Sequence, residues 1–290
     1  MLGQRIQIAR QSLDMEIAEF ASALGMDGNA ASLARWEADE ASPTLRELTA
    51  IGSLAGISLC FFLPPLVRDI KVQRYFGDDV DSLAIRARAL VATYIAVENY
   101  ISAEFLATGT ITPPSRMDLC DPKHQTATGM ADMIRHRLGI GSRSFRSLSD
   151  ELELNGLKIF AARLPARITG ISCDICLGDD PAHPFFVASS IASHRETQEN
   201  LFDWAFSEGI SAICGDSAEL HSEIRTTFLR SCFPISKPSE ILTLRHTKKG
   251  GHTDRYTSAI YRKVRGGTAS GRLSKSDAER IEKILRSSEA

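Results

Sequence analysis

The 290-residue sequence predicts an α+β fold that is mainly helical. Two observations carry this reading. Apolar residues recur at helical spacing over 2–63, 81–107, 126–138, 194–208 and 219–233. Three short runs, 157–161, 168–177 and 184–188, read as strands, and all of them fall in the second half. The order divides the chain into an all-α unit over 1–66, a connecting helix and loop over 67–117, an α+β unit over 118–236 and a basic extension over 237–290. No apolar run reaches the roughly 20 residues of a membrane span. The best candidate, Ile57 to Val67, holds two prolines and ends in Arg68-Asp69. Gln4, Arg5, Gln7 and Arg10 interrupt the place where a signal peptide is apolar, so a cytoplasmic protein without a membrane partner is expected. Cysteines at 60, 120, 173, 176, 214 and 232 are too scattered for a disulfide scaffold and are expected as thiols.

The net charge of -2 conceals an asymmetry. Residues 1–66 carry four Arg and no Lys against eight acids, a net of -4. Residues 245–290 carry twelve Lys and Arg against five acids, a net of +7. An acidic first unit and a basic last segment place the attraction for polyanions at the carboxyl end.

In the first unit, Ile6, Ala9, Leu13, Ile17, Phe20, Ala21 and Leu24 give the apolar face of two helices, and Gly25 supplies a left-handed turn residue. Asn29 is placed to cap a following helix, Ala30 to Glu37. Ser42-Pro43 then stops the chain, and Thr44 with Glu47 forms a capping box for the next helix. The motifs L-G-x-R-I at Leu2 to Ile6, F-A-x-x-L-G at Phe20 to Gly25, R-W-E at Arg35 to Glu37 and S-P-T-L-x-x-L at Ser42 to Leu48 resemble the Cro and lambda-repressor-like (XRE) helix-turn-helix family. The resemblance implies binding to double-stranded operator DNA, with Asn29, Ser32 and Arg35 as base- or phosphate-reading residues. Three departures oppose it: Glu16-Ile17 where the family usually has Ser-Gln, whose Gln commonly meets the phosphate backbone, so that an acid there repels what the family attracts; two residues inserted after Gly25; and alanines at 30 and 31. Trp36 reads as core, and Arg35 can pair with a neighbouring acid as readily as with phosphate.

Asp81 to Ala107 is apolar on more than one face, which suits a helix packed on both sides or a dimerisation helix. Asp121-Pro122, then Ala127, Met130, Ala131, Ile134 and Leu138-Gly139-Ile140, with Arg135 or Arg137 between them, resemble the opening of the ImmA/IrrE metallopeptidase-like family. So do the strands Leu157 to Ala161 and Pro184 to Ser189 and the helix ending near Cys232 and Phe233-Pro234. In that family the helix beginning near His194 carries HExxH, two His one turn apart for zinc with a Glu as general base. Here, aligned on Thr197, the ligand positions read Asn200 and Trp204; aligned on Gly209, they read Leu201 and Ala205. The seven His never stand three, four or five apart. The resemblance thus implies a zincin-like α+β unit lacking HExxH, with no catalytic residue, no metal and no cofactor. Its third ligand position falls at His221 or Glu223. A cleft lined by His194, Asn200, Trp204, His221 and Glu223 is expected either to bind a small molecule or to be filled by Trp204 and Phe206.

Cys173 and Cys176 lie three apart on a strand, hence on opposite faces, and are expected as packed thiols; a turn there would leave His183 as the sole nearby third ligand. Arg245 to His252 and Tyr256 to Arg265 mix cations with Tyr256 and Tyr261, suited to phosphate and base contact or to a solvated face. Gly266 to Gly271 reads as a linker, and a last helix through Leu285 is capped by Ser274 or Ser276 and docks on the body or on a second subunit. The expectation is a homodimeric regulator that reads operator DNA and whose second unit senses a small-molecule or protein effector. The alternative is a protein-interaction module whose acidic first unit binds a protein partner.

Overall fold

The computed structural model describes residues 2–26, 28–63, 66–78, 80–111, 126–140, 148–177, 183–214, 217–232 and 258–287. Asp27 in the expected insertion, Asp121-Pro122, Phe233-Pro234, Arg245 to His252 and Tyr256 lie outside them, as do the side chains of His194 and Tyr261.

Four helices build the first unit: α1 (Leu2–Ser12), α2 (Ile17–Ala23), α3 (Ala30–Glu37) and α4 (Leu45–Ala55), followed by a 3₁₀ turn at Leu59–Phe61. Ile6, Ala9, Phe20, Leu33, Leu48 and Ile51 form its core, with Trp36 beside them. The capping box at Thr44 and Glu47 is present, and Gly25 adopts φ 70°.

The rest of the body has three layers. A mixed sheet in the order β1-β3-β4-β2 lies in the middle, made of β1 (Val67–Gly77), β2 (Lys158–Ala162), β3 (Ile168–Leu177) and β4 (His183–Ser189). β3 pairs antiparallel with β1 and β4, and β4 runs parallel to β2. One face, through Ile70, Phe160, Ile171, Cys173, Phe185 and Val187, packs on α5 (Leu83–Thr108). The other, through Phe76, Ile159, Ala161, Phe186 and Ala188, packs on a layer of α6 (Ala127–Arg137), α7 (Leu148–Leu154), α8 (His194–Cys214) and α9 (Ala218–Cys232). The residues foreseen as the apolar stripe of α6 are all buried.

β1 is a strand the sequence reading did not separate from the connecting segment. Its alternation is obscured twice over: it is an edge strand with Arg68, Lys71 and Arg74 exposed, and register shifts after Val67, Val72 and Phe76 reset the two-residue period.

α5 is 26 residues, about 39 Å, long and packs on several sides at once. Besides the sheet it meets α1 and the two carboxyl-terminal helices, α10 (Ser258–Ala269) and α11 (Lys275–Ser287). At the α1 contact the buried Arg5 donates from Nη1 to Phe61 O at 2.5 Å and from Nη2 to Val67 O at 2.9 Å. Its guanidinium carbon stands 4.2 Å from the centre of the Tyr94 ring. Arg88 Nε donates to Ser12 O at 2.7 Å, closing the end of α1. At the far end of α5 the fully buried Glu104 accepts from Lys158 of β2 and, at 2.5 Å, from Lys263 of α10.

The expectation of a linker at 266–271 is corrected here, because α10 runs through Gly266 and Gly267. A Cβ on Gly267 would lie 3.2 Å from Leu273 Cβ and 3.9 Å from Ala107 O. The glycine therefore permits close packing rather than breaking the helix. Ser274 is the cap of α11, accepting from Asp277 N at 3.1 Å, and the helix docks on the body through Ile281 and Leu285.

Candidate nucleic-acid interface and inner cleft

α3 is presented from a fixed base. Arg10 of α1 grips Glu37 at the end of α3 with two bonds, Nε to Oε1 at 2.7 Å and Nη2 to Oε2 at 2.9 Å, and donates from Nη1 to Met15 O at 2.8 Å. Trp36 and Leu33 fill the core below. Opposite them, Asn29, Ala31, Ala34 and Arg35 are exposed and Ser32 is half-buried. Residues 29, 32 and 35 thus share one outward edge. Asn29 does occupy the cap position, but its side chain does not cap the backbone; its Oδ1 accepts from Ser32 Oγ at 2.6 Å. No ion pair engages Arg35 among the described residues, since the neighbouring Glu37 is taken by Arg10. Asp14, Glu16, Glu19, Asp39 and Glu40 are also exposed on this unit.

The inner cleft lies where α8 crosses the sheet. Asn200 and Trp204, one turn apart, both face it: Asn200 Nδ2 donates to Thr169 Oγ1 of β3 at 2.8 Å, and Trp204 stacks on Phe186 of β4 with centroids 5.2 Å apart. A Cβ on Gly170 would meet the Phe186 ring at 2.6 Å, so glycine makes the room the ring occupies. Leu201 and Phe206 are buried in the adjoining core, with Phe206 against Phe202 and Phe228. Phe186 and Trp204 thus line the sheet side of the cleft, Trp204 remaining half-exposed, while Phe206 belongs to the adjoining core. His194 opens α8. His221 is half-buried, its ring 6.1 Å from that of Phe202 and its Nε2 buried without a hydrogen-bond partner among the described residues. Glu223 is exposed on α9, and no hydrogen bond joins it to the other four cleft residues among the described residues.

Asp203, Arg225 and Arg74 belong to this region and were not foreseen. Asp203 is 9% exposed, and Arg225 Nη1 donates to both of its oxygens, at 3.3 and 3.0 Å. Burial raises the Asp203 carboxyl above its ordinary range, opposed by the charges of Arg225, His221 and Arg74. The signal was present in Leu201-Phe202-Asp203-Trp204-Ala205-Phe206, because a carboxylate inside an apolar helical run needs a buried partner. Cys173 is buried on β3 and burial pushes its thiol up, while Cys176 is half-buried; both sit in regular strand, as expected for packed thiols.

Comparison of the chain with known family models, with curated proteins and with solved structures finds no match. No helix among the described residues is long and apolar enough to cross a membrane.

Proposed function

We propose that this protein is a cytoplasmic transcriptional regulator, acting as a homodimer, that places α3 in the major groove of an operator. Asn29, Ser32 and Arg35 contact bases and phosphates, and the sheet body serves as a non-catalytic sensor. The observation that carries the reading is the outward edge of α3, held by Arg10, Glu37 and Trp36, on which Asn29 and Arg35 are exposed among the described residues. A rigidly mounted second helix with a short polar edge is what groove reading requires. The alanines beside that edge allow close approach to the groove floor. Selection of bound duplexes from a random pool at low salt, followed by gel shift, tests this. Enrichment of one motif is the expected outcome, and a pool that stays random with folded protein removes the proposal.

The exposed acids support a second reading, in which the first unit binds a basic protein surface. Glu16→Gln separates the two. Under the DNA reading it removes repulsion from phosphate and tightens binding, most strongly at low salt. Under the protein reading it leaves DNA affinity at background and weakens the partner complex. The absence of catalysis is likewise a proposal, supported by Asn200 and Trp204 standing on α8 where the resemblance would place the two His. It predicts protein that purifies without stoichiometric zinc and gains no peptidase activity with any added divalent metal.

A further inference from the structure

Arg225 and His221 of α9 and Arg74 of β1 gather about Asp203 of α8. Arg225 spends a single nitrogen on Asp203, and no acceptor engages its Nε or Nη2 among the described residues. Arg74 lies with its guanidinium carbon 4.7 Å from the centre of the Phe76 ring, exposed, and with no acceptor among the described residues. Its charge reaches Asp203. The group therefore carries more positive charge than its one carboxylate balances. Beside it runs an aromatic row: Phe76 meets Phe186 at 5.5 Å, Phe186 carries Trp204, and Trp204 remains half-exposed.

The geometry points to a binding site for a small aromatic carboxylate, with its ring on the outer face of Trp204 and its carboxylate between Arg74 and Arg225. Two guanidinium groups with unused donors match a carboxylate, and an indole face seated on buried rings matches a planar ring. A neutral ring leaves the cations uncompensated, a cation is repelled, and inorganic phosphate makes no use of Trp204. That such a ligand is the effector of the regulator rests on the function proposed above; that it binds does not.

The chain has two tryptophans, Trp36 in the first unit and Trp204. Full-length protein carrying 5-fluorotryptophan gives two fluorine resonances, assigned with Trp36→Phe, so one spectrum reports both the site and the integrity of the first unit. Titration uses benzoate and phenylacetate, with benzamide and inorganic phosphate as controls. The expected result is a saturable shift of the Trp204 resonance with the carboxylates alone, weakened at least about tenfold in Arg74→Gln, while the Trp36 resonance stays in place. Arg74 is exposed, so that variant keeps its fold. The inference is overturned by no saturable shift with either carboxylate, by an equal shift with benzamide or phosphate, or by a shift that Arg74→Gln leaves unchanged. No DNA is present, so a failure here leaves the DNA reading standing, and a failed DNA selection leaves this site standing.

Discussion

Arg10 and Glu37 illustrate how much one ion pair can fix. Their side chains are only 10% and 9% exposed, so removing one partner strands a poorly solvated charge, whereas removing both strands none. Glu37→Ala is expected to lower stability by about 3–5 kcal/mol in urea unfolding. The double variant Arg10→Met with Glu37→Leu should recover most of that loss; equal losses in both would show that the helices are held by something other than the pair. Glu98 makes a second prediction. It accepts from Leu66 N and Val67 N and faces Arg5, Asp69 and Tyr94 across the α1 junction; burial, its largest influence, raises its pKa above the ordinary carboxyl range. With the folded value above the unfolded one, the folded state holds the proton more tightly. Its contribution is then full below the unfolded pKa and is lost as pH rises through the folded one. Relative to Glu98→Gln, the wild type should gain stability as pH falls from 7 to about 5. A widening deficit over that interval would mean that Arg5 and the two amides outweigh burial. Neither Arg5 nor Glu98 was legible as a buried group in the sequence. Arg5 is covered only when α1 meets α5 and the start of β1, and Glu98, though it falls at helical spacing between Tyr94 and Ile101, takes its partners from Leu66 and Val67, a pairing no local pattern announces.

Most elements could be read from the chain, because their signals are local: caps at Thr44 and Ser274, positive-φ glycines after helices, and three strands of strong β-formers. Two could not. β1 lost its alternation to bulges and to an exposed edge, and α10 was masked by two glycines whose purpose is packing rather than flexibility. The two glycines make opposite predictions. Gly266 has open space around its missing Cβ, so Gly266→Ala should raise stability by about 0.5–1 kcal/mol through helix propensity alone. Gly267→Val must push Leu273 or Ala107 aside and should lower the melting temperature. If both substitutions stabilise, α10 does not pack on α5 as described. The inner cleft was legible in composition but not in occupancy: Asn200 and Trp204 were identified as facing the sheet, while the room left beside them depended on Gly170 admitting Phe186.

At the scale of the whole molecule, α5 is the member that joins everything else. It bears α1 of the first unit near its start, the sheet along one side, and α10 with Lys263 at its far end. The first unit is thus mounted on the body through Arg5 and Arg88, so a change at the sheet has a packed route to α3. The basic extension is partly consumed in this assembly, since Lys263 compensates the buried Glu104. Arg272, Lys275, Arg280 and Lys283 of the same segment are exposed. The central claim is that α3 reads DNA, and footprinting of genomic fragments at low salt with the wild type and Arg35→Ala tests it most directly. The expected result is a discrete protected site that is lost or blurred in the variant, with the fold of the variant intact because Arg35 is exposed. A folded wild type that protects no site, or a site protected equally well by Arg35→Ala, would contradict it.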